Sequence, residues 1–229
     1  MWGILVVGIM SKRYISWFDF SILRDMIANM KRRVFIAINL PEGLKKRLKQ
    51  YREKFEYLPR ATPTGEVLRG LPVRWTKAPS LHLTLVFIGY VSDEQMLEIC
   101  RVTKEAAAKF EPFFINFRRI VLGPPGKAPR MIWLEGEASQ ELTEFKKELE
   151  AALIDCDSGF YRAENRPFKP HITLARVKAG RWREANINQA DIEQNLDAQV
   201  EVGGIDVMES DLKSDGAEYA VLKACPLKM

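Results

Sequence analysis

The sequence predicts an α+β fold built as two similar lobes related by an approximate two-fold axis. Two observations predict it. The order strand, helix, loop, strand, helix, strand occurs twice along the chain. Each copy carries the same tetrapeptide, His82-Leu83-Thr84-Leu85 in the first and His171-Ile172-Thr173-Leu174 in the second. A duplicated unit of this size is the usual signature of two like lobes sharing one core.

The first strand is Arg33–Leu40 (RVFIAINL), apolar on both faces as a central strand should be. Pro41 suits the first turn of a helix, and Leu44, Leu48, Tyr51, Phe55 and Leu58 follow at helical spacing. Residues 59–71 hold Pro59, Pro63, Gly65 and Gly70 without periodicity and read as a loop. Strand character returns at Val73–Thr76 and Leu81–Gly89. Ser92 and Gln95 then form a capping box before a helix whose inner stripe is Met96, Ile99, Cys100, Thr103, Ala107 and Phe110. A long strand, Pro112–Leu122, ends at Gly123-Pro124-Pro125-Gly126.

The second copy opens with the strand Arg130–Gly136 (RMIWLEG). Ser139 caps a helix that turns Leu142, Phe145, Leu149 and Leu153 inward. A polar loop over 155–169 leads to the strand Pro170–Val177. A weaker helix is expected near Asn188–Leu196, then strands near Gln199–Glu209 and Glu218–Lys223.

The chain has 229 residues, enough for one large domain, and 28% of them are charged. A net charge of +5 favours a polyanionic partner without requiring one. Three cysteines without C-x-x-C spacing suit a reducing cytoplasm better than a disulfide framework. Residues 1–29 read as an appendage, either disordered or translated from a start upstream of the usual one, with a short membrane-touching segment as the competing reading. Met1–Met10 is apolar but too short to span a bilayer, and Lys12 and Arg13 follow it instead of preceding it. The expected domain is 30–229, with no membrane attachment and no obligate protein partner.

The chemistry concentrates in the two tetrapeptides. They contain both histidines of the chain and two of its seven threonines. Side chains alternate along a strand, so His82 and Thr84 share one face while Leu83 and Leu85 share the other. His171 and Thr173 are placed likewise. Two imidazoles across a groove suit phosphodiester cleavage. One neutral ring accepts a proton from the nucleophile, and one protonated ring donates to the leaving oxygen. The threonine hydroxyls can hydrogen-bond non-bridging phosphate oxygens. A zinc site would need further ligands, and no H-E-x-x-H or C-x-x-C lies nearby. Neither a metal nor a cofactor is expected.

With its flanks, the pattern resembles the 2H phosphoesterase superfamily, and within it the RNA 2',3'-cyclic phosphodiesterases once named 2'-5' RNA ligases. The resemblance rests on RVFIAINLP at 33–41, VRWTKAPSLHLTLVFIG at 73–89, RMIWLEGE at 130–137, RPFKPHITLARVK at 166–178 and MESDLKSDGAEYAVL at 208–222. It implies two antiparallel sheets facing a central groove, with helices outside. It also implies hydrolysis of RNA 2',3'-cyclic phosphate ends, such as those of cleaved tRNA halves, to 2'-phosphates. His82 would be the proton donor and His171 the proton acceptor. Arg176 would bind phosphate, although its odd offset from His171 puts it on the wrong strand face unless the strand bends. Arg130 and Phe35 are further candidates for lining the groove, with plain core packing as the alternative for Phe35. The reverse ligation and a non-catalytic RNA-binding module of the same fold are the rival functions. The loop at 60–70 looks longer than usual for the family.

Overall fold

The structure, a computed structural model, describes residues 31–56, 59–61, 67–156, 159, 161–163, 166–185, 187–213 and 216–228. The 1–29 appendage lies outside these residues. In chain order the elements are β1 (Arg32–Asn39), α1 (Glu42–Glu56), β2 (Pro59–Ala61), β3 (Val67–Arg69), β4 (Val73–Trp75), β5 (His82–Val91), α2 (Asp93–Ala107), β6 (Phe113–Gly123), β7 (Met131–Gly136), α3 (Gln140–Asp155), β8 (His171–Val177), α4 (Ala179–Glu184), β9 (Gln194–Val202), β10 (Gly204–Lys213) and β11 (Gly216–Pro226).

Strand β1 sets the layers. Val34, Ile36 and Ile38 point into the main core, and Phe35 and Ala37 point to the opposite face, where they meet Met208. The main core also takes the inner stripes of the long helices: Leu44, Leu48, Tyr51 and Phe55 of α1, Ile99 and Val102 of α2, and Leu142, Phe145, Leu149 and Leu153 of α3. The expected capping box opens α2, with Ser92 Oγ accepting from Gln95 N–H and the Gln95 side chain accepting from Ser92 N–H. Helices α2 and α3 pack side by side over the strands. The face carrying Phe35 is left without a helix of its own, and the site lies on it.

The strands run β11-β10-β1-β5-β8-β7-β6-β9, all antiparallel, with β4 added against β8. The expected two sheets are therefore the halves of one nine-stranded sheet. They meet at one cross-strand pair, Leu83 on β5 opposite Ile172 on β8. The two-fold is visible in the order itself, which reads outward from this seam as β5, β1, β10, β11 on one side and β8, β7, β6, β9 on the other. The chain exchanges strands between the halves. Strand β6 leaves the first copy to pair with β7, and β10 leaves the second to pair with β1.

Two expected elements differ. No helix covers 188–196; a 3-10 turn occupies Gln189–Asp191, and a short helix lies earlier, at Ala179–Glu184. Ile192 and Leu196 have helical spacing, but Leu196, Val200 and Val202 are buried on alternate positions of β9, and that period of two prevails. The strand expected over 199–209 is two strands broken at Gly203, where the chain crosses from one half-sheet to the other. The 59–71 loop contains the β2–β3 hairpin, whose three-residue strands are too short to show a period.

Leu83 and Ile172 are both fully buried at 0% exposure. Replacing either with Ala should lower unfolding free energy by about 2–5 kcal/mol, read from the denaturant midpoint.

Candidate active site

The seam positions the four motif side chains. Leu83 and Ile172 are opposite each other in antiparallel register and point into the core. Continuing that register by one residue sets His82 opposite Thr173 and Thr84 opposite His171. All four then share the face away from the core, and all four line one cavity of about 140 Å³ with Phe35, Arg33, Phe87, Arg176 and Tyr219.

Each imidazole is held in the same way. His82 Nδ1 lies 2.8 Å from the Ser80 carbonyl oxygen, and His171 Nδ1 lies 2.8 Å from the Lys169 carbonyl oxygen. A carbonyl only accepts, so each Nδ1 carries the hydrogen and donates it. Nε2 of each ring is thereby left to exchange a proton with a ligand.

An aromatic ring supports each histidine from the neighbouring strand. The Phe35 ring centroid is 5.0 Å from that of His82, and Tyr219 meets His82 edge-on, also at 5.0 Å. Trp133 stacks on His171 at 4.0 Å. The two supports stand at different points of equivalent strands, because the register matches Trp133 to Ala37 and Phe35 to Met131. Phe35 is thus both packed, at 3% exposure, and part of the cavity wall.

Burial lowers the pKa of both imidazoles below the ordinary value. Their neighbours then separate them. Glu135, opposite His171 on β7, pulls His171 back up, while the charge of His171 pushes His82 further down.

The strand bends that Arg176 requires. On β8, Thr173 pairs with Trp133 and Ala175 with Ile132, so Leu174 is the extra residue of a β-bulge. Leu174 and Ala175 are both buried, and Arg176 emerges on the face of His171 and Thr173. Strand β5 bulges at the equivalent residue, Leu85, between Thr84 and Val86, and brings Phe87 to the same face. Arg130 is placed elsewhere. It lines a neighbouring cavity that also reaches Thr84, Trp133 and His171.

Sequence reasoning missed Trp133, Tyr219, Arg33 and Thr76. No repeat signal marked Trp133, since its equivalent in the first copy is Ala37. Thr76 Oγ1 donates to the Thr173 carbonyl at 2.8 Å, tying β4 to the second motif. Arg33 lies over the Phe87 ring, 4.7 Å from its centroid, and donates to Ser210 Oγ at 3.2 Å. Among the described residues no cluster of three His, Cys, Asp or Glu has the arrangement to hold a metal ion, and no helix is long and apolar enough to cross a membrane.

A face with two H-x-T motifs crossing in antiparallel register defines a 2H-type phosphoesterase, and comparison with known proteins agrees. The family model described as "2'-5' RNA ligase superfamily" matches residues 41–213, and the chain belongs to that family. Among similar proteins is an Aeropyrum pernix protein named RNA 2',3'-cyclic phosphodiesterase, 32% identical over 158 residues, covering 67% of this chain and 85% of that one. A Methanothermobacter thermautotrophicus protein of the same name is 28% identical over 184 residues, covering 80% and 90%. The fold matches a crystal structure from Thermus thermophilus with a TM-score of 0.69 at 24% identity, covering 86% of this chain and 98% of that one. It also matches E. coli LigT complexed with 3'-AMP, with a TM-score of 0.63 at 24% identity, covering 87% and 100%.

The Trp133 stack depends on Gly123. A Cβ at that position would fall within the Trp133 indole. Gly123→Ala should displace the indole and loosen His171. The expected readout is a change in Trp fluorescence together with at least a roughly tenfold drop in turnover, since small misplacement of a catalytic group costs about 10–100-fold.

Proposed function

We propose that this chain hydrolyses RNA 2',3'-cyclic phosphate ends to 2'-phosphomonoesters by two-histidine acid–base catalysis without a metal. The observation that carries the reading is the matched pair of imidazoles, each with Nδ1 tied to a carbonyl and Nε2 available in one cavity. The names of the curated relatives support the substrate class.

A water molecule loses a proton to Nε2 of His171 as its oxygen attacks phosphorus. The bond from phosphorus to the 3' oxygen breaks, and Nε2–H of His82 supplies the proton that oxygen needs. The 2' ester survives. The hydroxyls of Thr84 and Thr173 and the guanidinium of Arg176 stabilise the charge that builds on the non-bridging oxygens. Neither histidine needs a charged partner to hold its tautomer, because the backbone carbonyls do so.

The donor and acceptor labels are open to a direct test. Binding the substrate turned over in the site would exchange the two roles and release a 3'-phosphate. Phosphorus NMR of the product from a cyclic-phosphate oligonucleotide should show a 2'-phosphate. His82→Ala and His171→Ala should each lose about 10²–10⁴ in rate. A predominant 3'-phosphate reverses the labels, and an active His82→Ala protein ends the mechanism.

The pH profile has a definite sign. Activity falls at low pH when the base becomes protonated and at high pH when the acid loses its proton. Both imidazoles titrate below the ordinary value of about 6.5. The bell of kcat/KM should therefore have its maximum below about pH 6.5, with limbs that belong to the pair. The kcat bell should lie higher, because a bound phosphate anion favours the imidazolium.

A further inference from the structure

Beside the histidine cavity lies a second cleft of about 380 Å³, lined in part by Arg33, Arg74, Arg176 and Tyr219. It opens onto the first, and Arg33, Thr76, Ser80, Arg176 and Tyr219 line both. Its charge is one-sided. Among the described lining residues there is no carboxylate.

The backbone forces two of these cations together. Strand β4 pairs with β8 so that Arg74 is directly opposite Arg176. Like charges placed directly opposite on a sheet repel and cost stability. A structural pairing would relieve this with an acidic neighbour, as Arg118 and Arg119 on β6 are relieved by Glu137 and Glu135. Arg33, Arg74 and Arg176 form no ion pair with a described carboxylate. Arg33 is held instead by Phe87 and Ser210, and Arg176 by a 3.9 Å contact from a guanidinium nitrogen to Met131 Sδ. Three guanidinium groups are thus held around one cleft with their charge uncompensated, an arrangement that suits an anion with several acceptor oxygens.

The two-fold is broken here, because the position equivalent to Arg176 is Phe87 and Arg33 comes from the opposite half-sheet. Both arginines reach the same cleft. The larger cavity that also reaches His171 differs, because a carboxylate, Glu150, is among its lining residues and is ion-paired with Lys146 at 2.7 Å.

We propose that the Arg33–Arg74–Arg176 cleft is a second phosphate site, which holds the 5' phosphate of the terminal nucleotide while its cyclic phosphate lies between the histidines. The inference rests on the reading of the histidine cavity as the cyclic-phosphate site. It sets the direction of the strand, whose upstream nucleotides leave through the arginine cleft. It also makes an RNA end a better substrate than a nucleoside cyclic phosphate that lacks a 5' phosphate.

The test is a ratio within one protein, so a partial loss of folded material cancels. Adenosine 3',5'-bisphosphate and adenosine 3'-monophosphate are titrated into the full chain by calorimetry. The wild type should bind the bisphosphate roughly 10–100-fold more tightly, the range expected for hydrogen bonds to a charged group. Arg74→Ala should reduce that ratio by about tenfold, and Arg74→Lys should restore part of it. A wild-type ratio near one, or a ratio unchanged in Arg74→Ala, overturns the proposal. Turnover of adenosine 2',3'-cyclic phosphate with and without a 5' phosphate is measured in parallel. Hydrolysis of neither refutes the proposed function, and the binding ratio still decides the phosphate site.

Discussion

The site depends on one cross-strand pair. Leu83 and Ile172 join the two half-sheets, and both side chains are buried in the main core. A shift of one residue along either strand would turn that strand's histidine and threonine into the core and its leucines out. Two buried apolar side chains therefore hold both motifs in register, and the candidate site sits on a joint that is also a packing constraint. The carbonyls of Ser80 and Lys169 finish the positioning by fixing each ring.

The two-fold is close for what holds the histidines and broken for what surrounds them. Each imidazole has a carbonyl two residues earlier, a following threonine, a bulge at the following leucine and an aromatic support. Beyond that the halves diverge. His82 is enclosed by Phe35 and Tyr219, whereas His171 lies on Trp133 beside Glu135. The two imidazoles therefore meet unequal charges, with Glu135 acting on His171 and His171 acting on His82.

The sequence made the motif faces legible because alternation along a strand needs no tertiary information. The capping box at Ser92 and the inner stripes of α2 and α3 were legible for a similar reason, since short-range periodicity decides them. Arg176 was harder. Its odd offset from His171 pointed away from the groove, and only the bulge at Leu174 returns it, a feature set by pairing with β7. The segment 188–196 misled because Ile192 and Leu196 fit a helical turn and a turn followed by a strand equally well. Which one forms depends on β6 as the partner of β9. The joining of the half-sheets into one was likewise invisible, because it rests on a pair 89 positions apart in the chain.

The exchanged strands bear on how the chain can be assembled during synthesis. Strands β1 and β5 emerge early, but β1 has β10 as its other neighbour, and β10 begins only at Gly204. The first half-sheet is incomplete until nearly the whole polypeptide has left the ribosome. The second half-sheet, which takes β6 from the first copy, can close as soon as β9 is made. The lobe whose histidine comes later in the chain is thus the one able to form first, and a nascent chain stalled short of residue 204 would leave β1, the strand beside the first motif, with an open edge.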